Sequence, residues 1–415
     1  MVVVILYCEK NYVIIHVVFF SRIMYHYNQM TEVQEKHLAE FGSEPEIVAI
    51  VPGVSRFLGP FADYSRGYSL CAADSRSLHF CLSLRNDMQI KVYNAFVNDR
   101  KHFTTAALKF RKEDRWANYI KGVLTQLASE GHTIPGMNIT LDGDILTGNN
   151  DIICSSVVVA TCLAMEKLFS IKLEEGVLSR MIVKACLNFC GENCCISVVQ
   201  TMLCAKEGKF VFFDNKGGHK SIDNPFPGSN YALIYVESGV PTNVMKDEVE
   251  RKYSEIRELC DRNYPRLSIP ILSGLHDSEV QERLSRFSED EKRVVLYLIE
   301  EFKCANLSSF TDLSLGKAIS RTGKAIRNKL EISFPEIEWI FKRASEHSGC
   351  MGYTNVATGG SGIVSVVMDR NSVDSFLSKL EDYEHIFGFR LKAYEFEPLS
   401  GAVVYGKADE NSFDK

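Results

Sequence analysis

Three short stretches hold the residues whose types and spacing could do chemistry. The first, Val51 to Tyr68 (VPGVSRFLGPFADYSRGY), has the outline of a ligand-binding strand and turn, with paired glycines and an Asp63-Tyr64 step. Most of the polar side chains that would make such a turn useful are missing from it. Asp63 is the candidate that remains: its carboxylate could grip a hydroxyl, or it could bond its own backbone, as Asp does in turns. The second stretch, Gly148 to Ser156 (GNNDIICSS), opens a helical pattern, and a glycine at a helix start is where backbone amides can face an anion. The third holds Cys186, Cys190, Cys194 and Cys195. Spacings of four put the first three along one helical stripe, but Gly191 breaks the helix and no histidine is close, so small core residues are expected rather than a metal site.

These stretches must be positioned by the elements around them. EIVAIV, YSLCAA, SLHFCLSL and QIKVYNAF read as strands, and RWANYIKGVLTQLASEG has helical spacing ending at Gly131. MNITLDGDI is a further strand. It leads through LTGNNDII into a helix of small and β-branched residues, Cys154 to Phe169, followed by another helix at about Glu174 to Phe189. After the turn CGEN, Cys194 to Ala205 reads as a helix and KFVFFDN as a buried strand. KSIDNPFPGSN is turn-rich and marks a middle boundary. Charged helices follow, KDEVERKYSEIRELCDR and EDEKRVVLYLIEEFKCA, then strand-like pieces around GIVSVVM and FRLKAYEFEP. Without a regular βαβ count the expected class is α+β.

The chain has 415 residues, enough for two domains with separate cores, and its 46% hydrophobic and 24% charged residues are globular values. A net charge of −6 without any lysine-arginine run gives no reason to expect nucleic acid or an anionic membrane as a partner. Thirteen cysteines without a short regular framework read as reduced thiols of a cytoplasmic protein. The two apolar runs before Met30 are each shorter than the ~20 residues of a membrane helix. They also lack the basic start and cleavage site of a signal peptide, so a start at Met30 is the simpler expectation.

In order and spacing, these landmarks resemble galactokinase, of the GHMP small-molecule kinase superfamily, from about Glu46 to Ala402. VPG…LG…DY…GY stands at the sugar-binding signature, WANYIKGV matches a family helix, and FCGENCCI is similar to the turn before the catalytic helix. KEGKFVFFDN, AIRNKLEISFPEIE and PLSGA resemble later landmarks. The resemblance implies a GHMP-like α+β fold of two domains around a cleft: an extension at 1–41, an N-terminal domain at 42–224 and a C-terminal domain at 225–415.

Carried over residue by residue, the same resemblance implies losses. The family's arginine position is Val54, its Glu-His pair is Pro60 and Phe61, and its following Asp survives as Asp63. In the phosphate loop Gly148 is kept. Asn150 replaces the second glycine, Asp151 stands where phosphate should arrive, and Ile152, Ile153 and Cys154 replace serines. Ser155 and Ser156 lie further along. The catalytic base position is Val198, the sugar-packing tyrosine falls at about Val249, and the late glycine cluster is Ala357 to Gly362, half intact. Loss of a general base alone costs roughly 10²–10⁴ in rate.

The expectation is therefore a galactokinase-like protein without catalytic residues, with Asp63 as a substrate contact and Gly148 as the remnant of a nucleotide site. It would need no cofactor and would act in binding, sensing or scaffolding toward a sugar or a protein partner. The alternative is an active ATP-dependent sugar 1-phosphotransferase that uses Mg and ATP with non-standard residues.

Overall fold

The computed structural model describes residues 31–147, 150–192, 194–214, 216–240, 246–263, 268–355 and 362–407. A helix, α1 (residues 31–41), precedes β1 (Ile47–Leu58), α2 (Ala62–Ser65), β2 (Ser69–Arg85), β3 (Gln89–Asn94) and β4 (Asp99–Thr104). Then come α3 (Ala117–Ser129), β5 (Gly136–Asp142), α4 (Asn150–Phe169), α5 (Glu175–Lys184), α6 (Ile196–Cys204), β6 (Lys209–Phe213) and β7 (His219–Asp223). The second half runs β8 (Tyr231–Glu237), α7 (Lys246–Asn263), α8 (Ile269–Leu272), α9 (Asp277–Arg283), α10 (Glu289–Ala305), α11 (Asp312–Ala325) and α12 (Pro335–Ser345). It ends with β9 (Cys350–Asn355), β10 (Ile363–Asp369), α13 (Val373–Ser378), α14 (Tyr383–Phe387), β11 (Lys392–Glu395) and β12 (Val403–Gly406).

Two sheets organise the described residues, an α+β arrangement as the sequence predicts. The first has eight strands, ordered β12-β1-β2-β5-β3-β4, with β6 added to β2 and β7 to β6. The second has four, β11-β8-β10-β9, all antiparallel. Every residue of β1 is buried, which accounts for its run of apolar and small side chains without alternation. Opposite it, β2 is one strand of 17 residues where the sequence suggests two, because its register shifts between Pro52 and Gly53 instead of breaking. Gly53 allows this close approach: a Cβ there would lie 2.3 Å from Asp74 Oδ1. Gly59 ends β1 in the left-handed region at φ 64°, where a Cβ would strike the Tyr68 carbonyl.

The helix α4 is buried on most sides between β1, α3 and α6, which explains its uniformly apolar sequence. It is long and apolar enough to cross a membrane, but two thirds of it (67%) is buried inside the protein. In contrast, α10 follows the sequence reading residue for residue: Ser288 Oγ accepts from the Glu291 amide and Glu291 accepts from the Ser288 amide, closing a capping box.

Three observations bear on the expected boundaries. Residues 31–41 are not an appendage, since Val33 packs on Val48 and Cys81 and the buried His37 bonds Thr140 and Ser83, both at 2.9 Å. The turn-rich segment expected as a boundary contains β7, paired along its length with β6. The division at 224/225 is crossed twice. β12 returns to pair with β1, and Tyr253, Ile256, Val295 and Leu298 of α7 and α10 join the core of the first sheet.

Candidate functional site

The chemistry-bearing stretches meet where β1 runs into α2, against the starts of α4 and α6 and the inner faces of α7 and α10. Val54, at the family's arginine position, lies in the middle of β1 and is fully buried in the apolar core. Two residues on, Arg56 shares its face of the strand, as i and i+2 must. Its side chain is also closed off from solvent, yet it is the centre of a polar cluster. Arg56 Nη2 donates to Asp151 Oδ2 at 2.8 Å and to the Tyr253 hydroxyl, while Nη1 donates to Cys195 Sγ at 3.4 Å. The guanidinium carbon stands 5.3 Å from the Tyr253 ring centre. Burial works against the charge of Arg56, but the Tyr253 oxygen and the Asp151 carboxylate outweigh it and hold the guanidinium protonated.

Asp151 occupies the first turn of α4, where a negative charge is favoured by the helix dipole. The helix start that could face an anion thus carries the protein's own carboxylate, neutralised by an arginine 95 residues earlier in the chain. Gly148 lies outside the described residues, as do Ala357 to Ser361. Ser155 and Ser156 do not turn toward the start of the helix: Ser155 Oγ is 3.6 Å from Cys194 Sγ, and Ser156 Oγ bonds the Ile153 carbonyl at 2.9 Å.

Asp63 sits in α2, half-buried, and neither bonds its own turn nor stands unengaged. Oδ2 accepts from Ser197 Oγ at 2.6 Å and Oδ1 from the Ser197 amide at 3.3 Å. It therefore serves the N-terminus of α6, whose own flanking residue Cys195 offers no side-chain cap. Burial raises the Asp63 pKa, with the Ser197 bonds and Arg56 opposing. Val198, at the family's base position, follows Ser197 and is fully buried. The carboxylate beside this helix start thus comes from α2, a source that inspecting residues 191–205 could not reveal.

Aromatic side chains fill the remaining space. Phe61 is buried 4.7 Å from Tyr253 and 5.8 Å from Tyr297, centre to centre. Tyr297 donates to Glu301 Oε1 at 2.5 Å, and the same oxygen accepts from the Phe61 amide at 3.4 Å. Burial pushes the Glu301 carboxyl up to about 7, against the pull of the Tyr297 bond, the Phe61 amide and Arg56. Val249 is buried on α7 where the family's tyrosine was expected, and one helical turn later Tyr253 supplies the aromatic ring. Among the described residues this point is a polar and aromatic core, within which Arg56 Nε is buried without a hydrogen-bond partner.

The sequence reading missed Arg56, Ser197, Tyr253, Tyr297 and Glu301. The spacing of Arg56 from Val54 and of Tyr253 from Val249 was the available signal. The cysteines behave as small buried groups, but with a different membership: Cys154 of α4 contacts Cys186 and Cys190, and Cys186 contacts Cys194. Burial pushes the Cys154 thiol up. Cys195 points the other way, donating to the Tyr64 hydroxyl at 3.6 Å. Asp214 belongs to the turn between β6 and β7, where Oδ1 accepts the amides of Lys216 and Gly218 at 2.8 and 2.9 Å.

No family model matches the chain. A provisionally named galactokinase of Treponema pallidum is 27% identical over 401 residues, covering 92% of this chain and all of that protein. The galactokinase of Streptomyces coelicolor is 23% identical over 380 residues, covering 89% and 97%. Among solved structures, Lactococcus lactis galactokinase complexed with galactose superimposes with a TM-score of 0.78 at 19% identity, covering 90% of this chain and 99% of that one. A mevalonate kinase aligns with a TM-score of 0.55 at 14% identity, covering 85% and 99%.

Proposed function

We propose that this chain, galactokinase-like in sequence and built on the GHMP small-molecule kinase fold, acts in binding, sensing or scaffolding and does not transfer a phosphoryl group. Phosphoryl transfer is mostly positioning and electrostatic stabilisation, so it needs donors aimed at the phosphates and an acceptor for the hydroxyl proton. The observation that carries the proposal is the buried pair of Arg56 and Asp151 at the start of α4. The cation is turned inward to the protein's own carboxylate, and that carboxylate puts a negative charge in the first turn of α4, where phosphate would be repelled. Asp63 is engaged by Ser197, and valines hold positions 54 and 198. On this reading no magnesium or ATP is required. The partner is a sugar reaching the exposed side of Asp63, or another protein, and the free thiols suit the cytoplasm.

A second reading is favoured by the relatives, whose names are those of galactokinases over nearly their whole length. In it the chain is an active ATP-dependent sugar 1-phosphotransferase in which Arg56 takes over from position 54 and Asp63, beside the start of α6, takes over from position 198. The two are separated by an ADP-release assay with galactose, ATP and magnesium. The first reading expects no release above background; turnover within a hundredfold of an authentic galactokinase would establish the second.

A further inference from the structure

At the far end of α6 from Ser197, three side chains of different chemistry converge from three separate elements. Glu175 is the first residue of α5, Cys204 the last of α6, and His219 the first of β7. Their ligand atoms all lie within 4.8 Å of one another, and His219 Nε2 is 3.6 Å from Glu175 Oε1. Among the described residues this is the one group of three His, Cys, Asp or Glu side chains that meets so closely. We infer that Glu175, Cys204 and His219 form a zinc site.

The ligand set selects the metal. A thiolate with an imidazole excludes calcium and magnesium, which take oxygen ligands, and one sulfur, one nitrogen and one oxygen suit tetrahedral Zn²⁺. Bonds of about 2.0–2.3 Å place tetrahedral ligands roughly 3.3–3.8 Å apart. No pair of atoms, all within 4.8 Å of one another, need then close by more than about 1.5 Å, which rotamer adjustment of half-buried and exposed side chains can supply. Three protein ligands leave a fourth position for water.

The positioning is built into the fold. β7 pairs His219 directly with Phe213 of β6, and the His219 ring stands 5.7 Å from the Phe213 ring. The intervening turn is pinned by the Asp214 carboxylate on the Lys216 and Gly218 amides, so the histidine leaves a fixed turn. The pairing of β6 with β2 ties that hairpin to the main sheet.

The test is a titration of the metal-free full-length protein with Co²⁺, whose thiolate charge-transfer and d–d absorption report sulfur ligation and tetrahedral geometry, followed by displacement with Zn²⁺. A stoichiometric tetrahedral spectrum at micromolar protein is expected. It should be lost in Cys204→Ser and weakened at least tenfold in His219→Gln and in Glu175→Gln. Cys190→Ser, at a half-buried thiol beside Cys154, should leave it unchanged. In chelator the Glu175→Gln and His219→Gln variants should melt with the parent, since both positions are exposed, and Cys204→Ser, a near-isosteric change at a half-buried position, should melt close to it. An unchanged cobalt spectrum in Cys204→Ser, a six-coordinate spectrum, or no binding at micromolar Co²⁺ would overturn the assignment.

Discussion

The pair of Arg56 and Asp151 is the sharpest point at which to perturb this molecule. Both side chains are closed off from water, at 0% and 6% exposure. Replacing Arg56 by Met keeps the stem and removes the charge, leaving Asp151 without its cation in the interior. Breaking one partner of such a buried pair costs about 3–5 kcal/mol, whereas replacing both by apolar groups of similar volume is often neutral or stabilising. Arg56→Met and Asp151→Leu are each expected to lose about 3 kcal/mol or more, and the double variant to recover most of it. The cycle should therefore give a coupling energy of at least about 2 kcal/mol. Urea unfolding followed by circular dichroism measures this, provided the slope m is shared among the four proteins so that midpoints translate into stability. If Arg56→Met lost less than about 1 kcal/mol, or the double variant lost the sum of the singles, the arginine would not be a committed internal cation. The argument that it is withheld from phosphate would then fail.

Three further outcomes are expected. Glu301 has a folded-state pKa raised to about 7 from 4.5, so its contribution to stability is fully present below the lower value and is lost as pH rises through the higher. Glu301→Gln should accordingly gain on the parent in melting temperature between pH 5 and pH 8, and an equal difference at both ends would contradict the assignment. Val198→Asp should yield no galactose turnover and should lose about 3 kcal/mol or more, because the position is fully buried and an unpaired carboxylate there is costly. Turnover in that variant, absent from the parent, would mean that the start of α4 can still hold the transferred phosphate. Millimolar MgATP should leave the melting temperature within a degree of the ligand-free value, although a ligand at a hundred times its dissociation constant would stabilise the fold by about 2.7 kcal/mol.

Elements governed by local rules were legible in the sequence. The capping box at Ser288 and the helical spacing after it fix α10 at both ends, and the apolar run of β6 needs no tertiary information to be seen as a strand. β7 was not legible, because HKSID is largely exposed and polar and becomes a strand only by pairing with β6. At the candidate site, the valines at positions 54 and 198 draw notice only through the resemblance to galactokinases. The contacts around them could not be read. Arg56 meets Asp151 across 95 residues and Tyr253 across 197, and Asp63 meets Ser197 across 134. Such contacts are set by how whole elements stack, and no local pattern encodes them.

The return of the chain to β1 bears on how the protein is made. Val403 to Gly406 pair with Ile47 to Ile50, closing one side of the strand at the centre of the candidate site. During synthesis that side stays an open edge, flat and apolar, until almost the entire chain has emerged. Exposed edges of this kind recruit other strands, and pairings of such long sequence separation form late. A nascent chain stalled after β11 would carry a largely assembled first sheet with an unpaired β1 rim. That makes it a substrate for chaperones and a seed for aggregation.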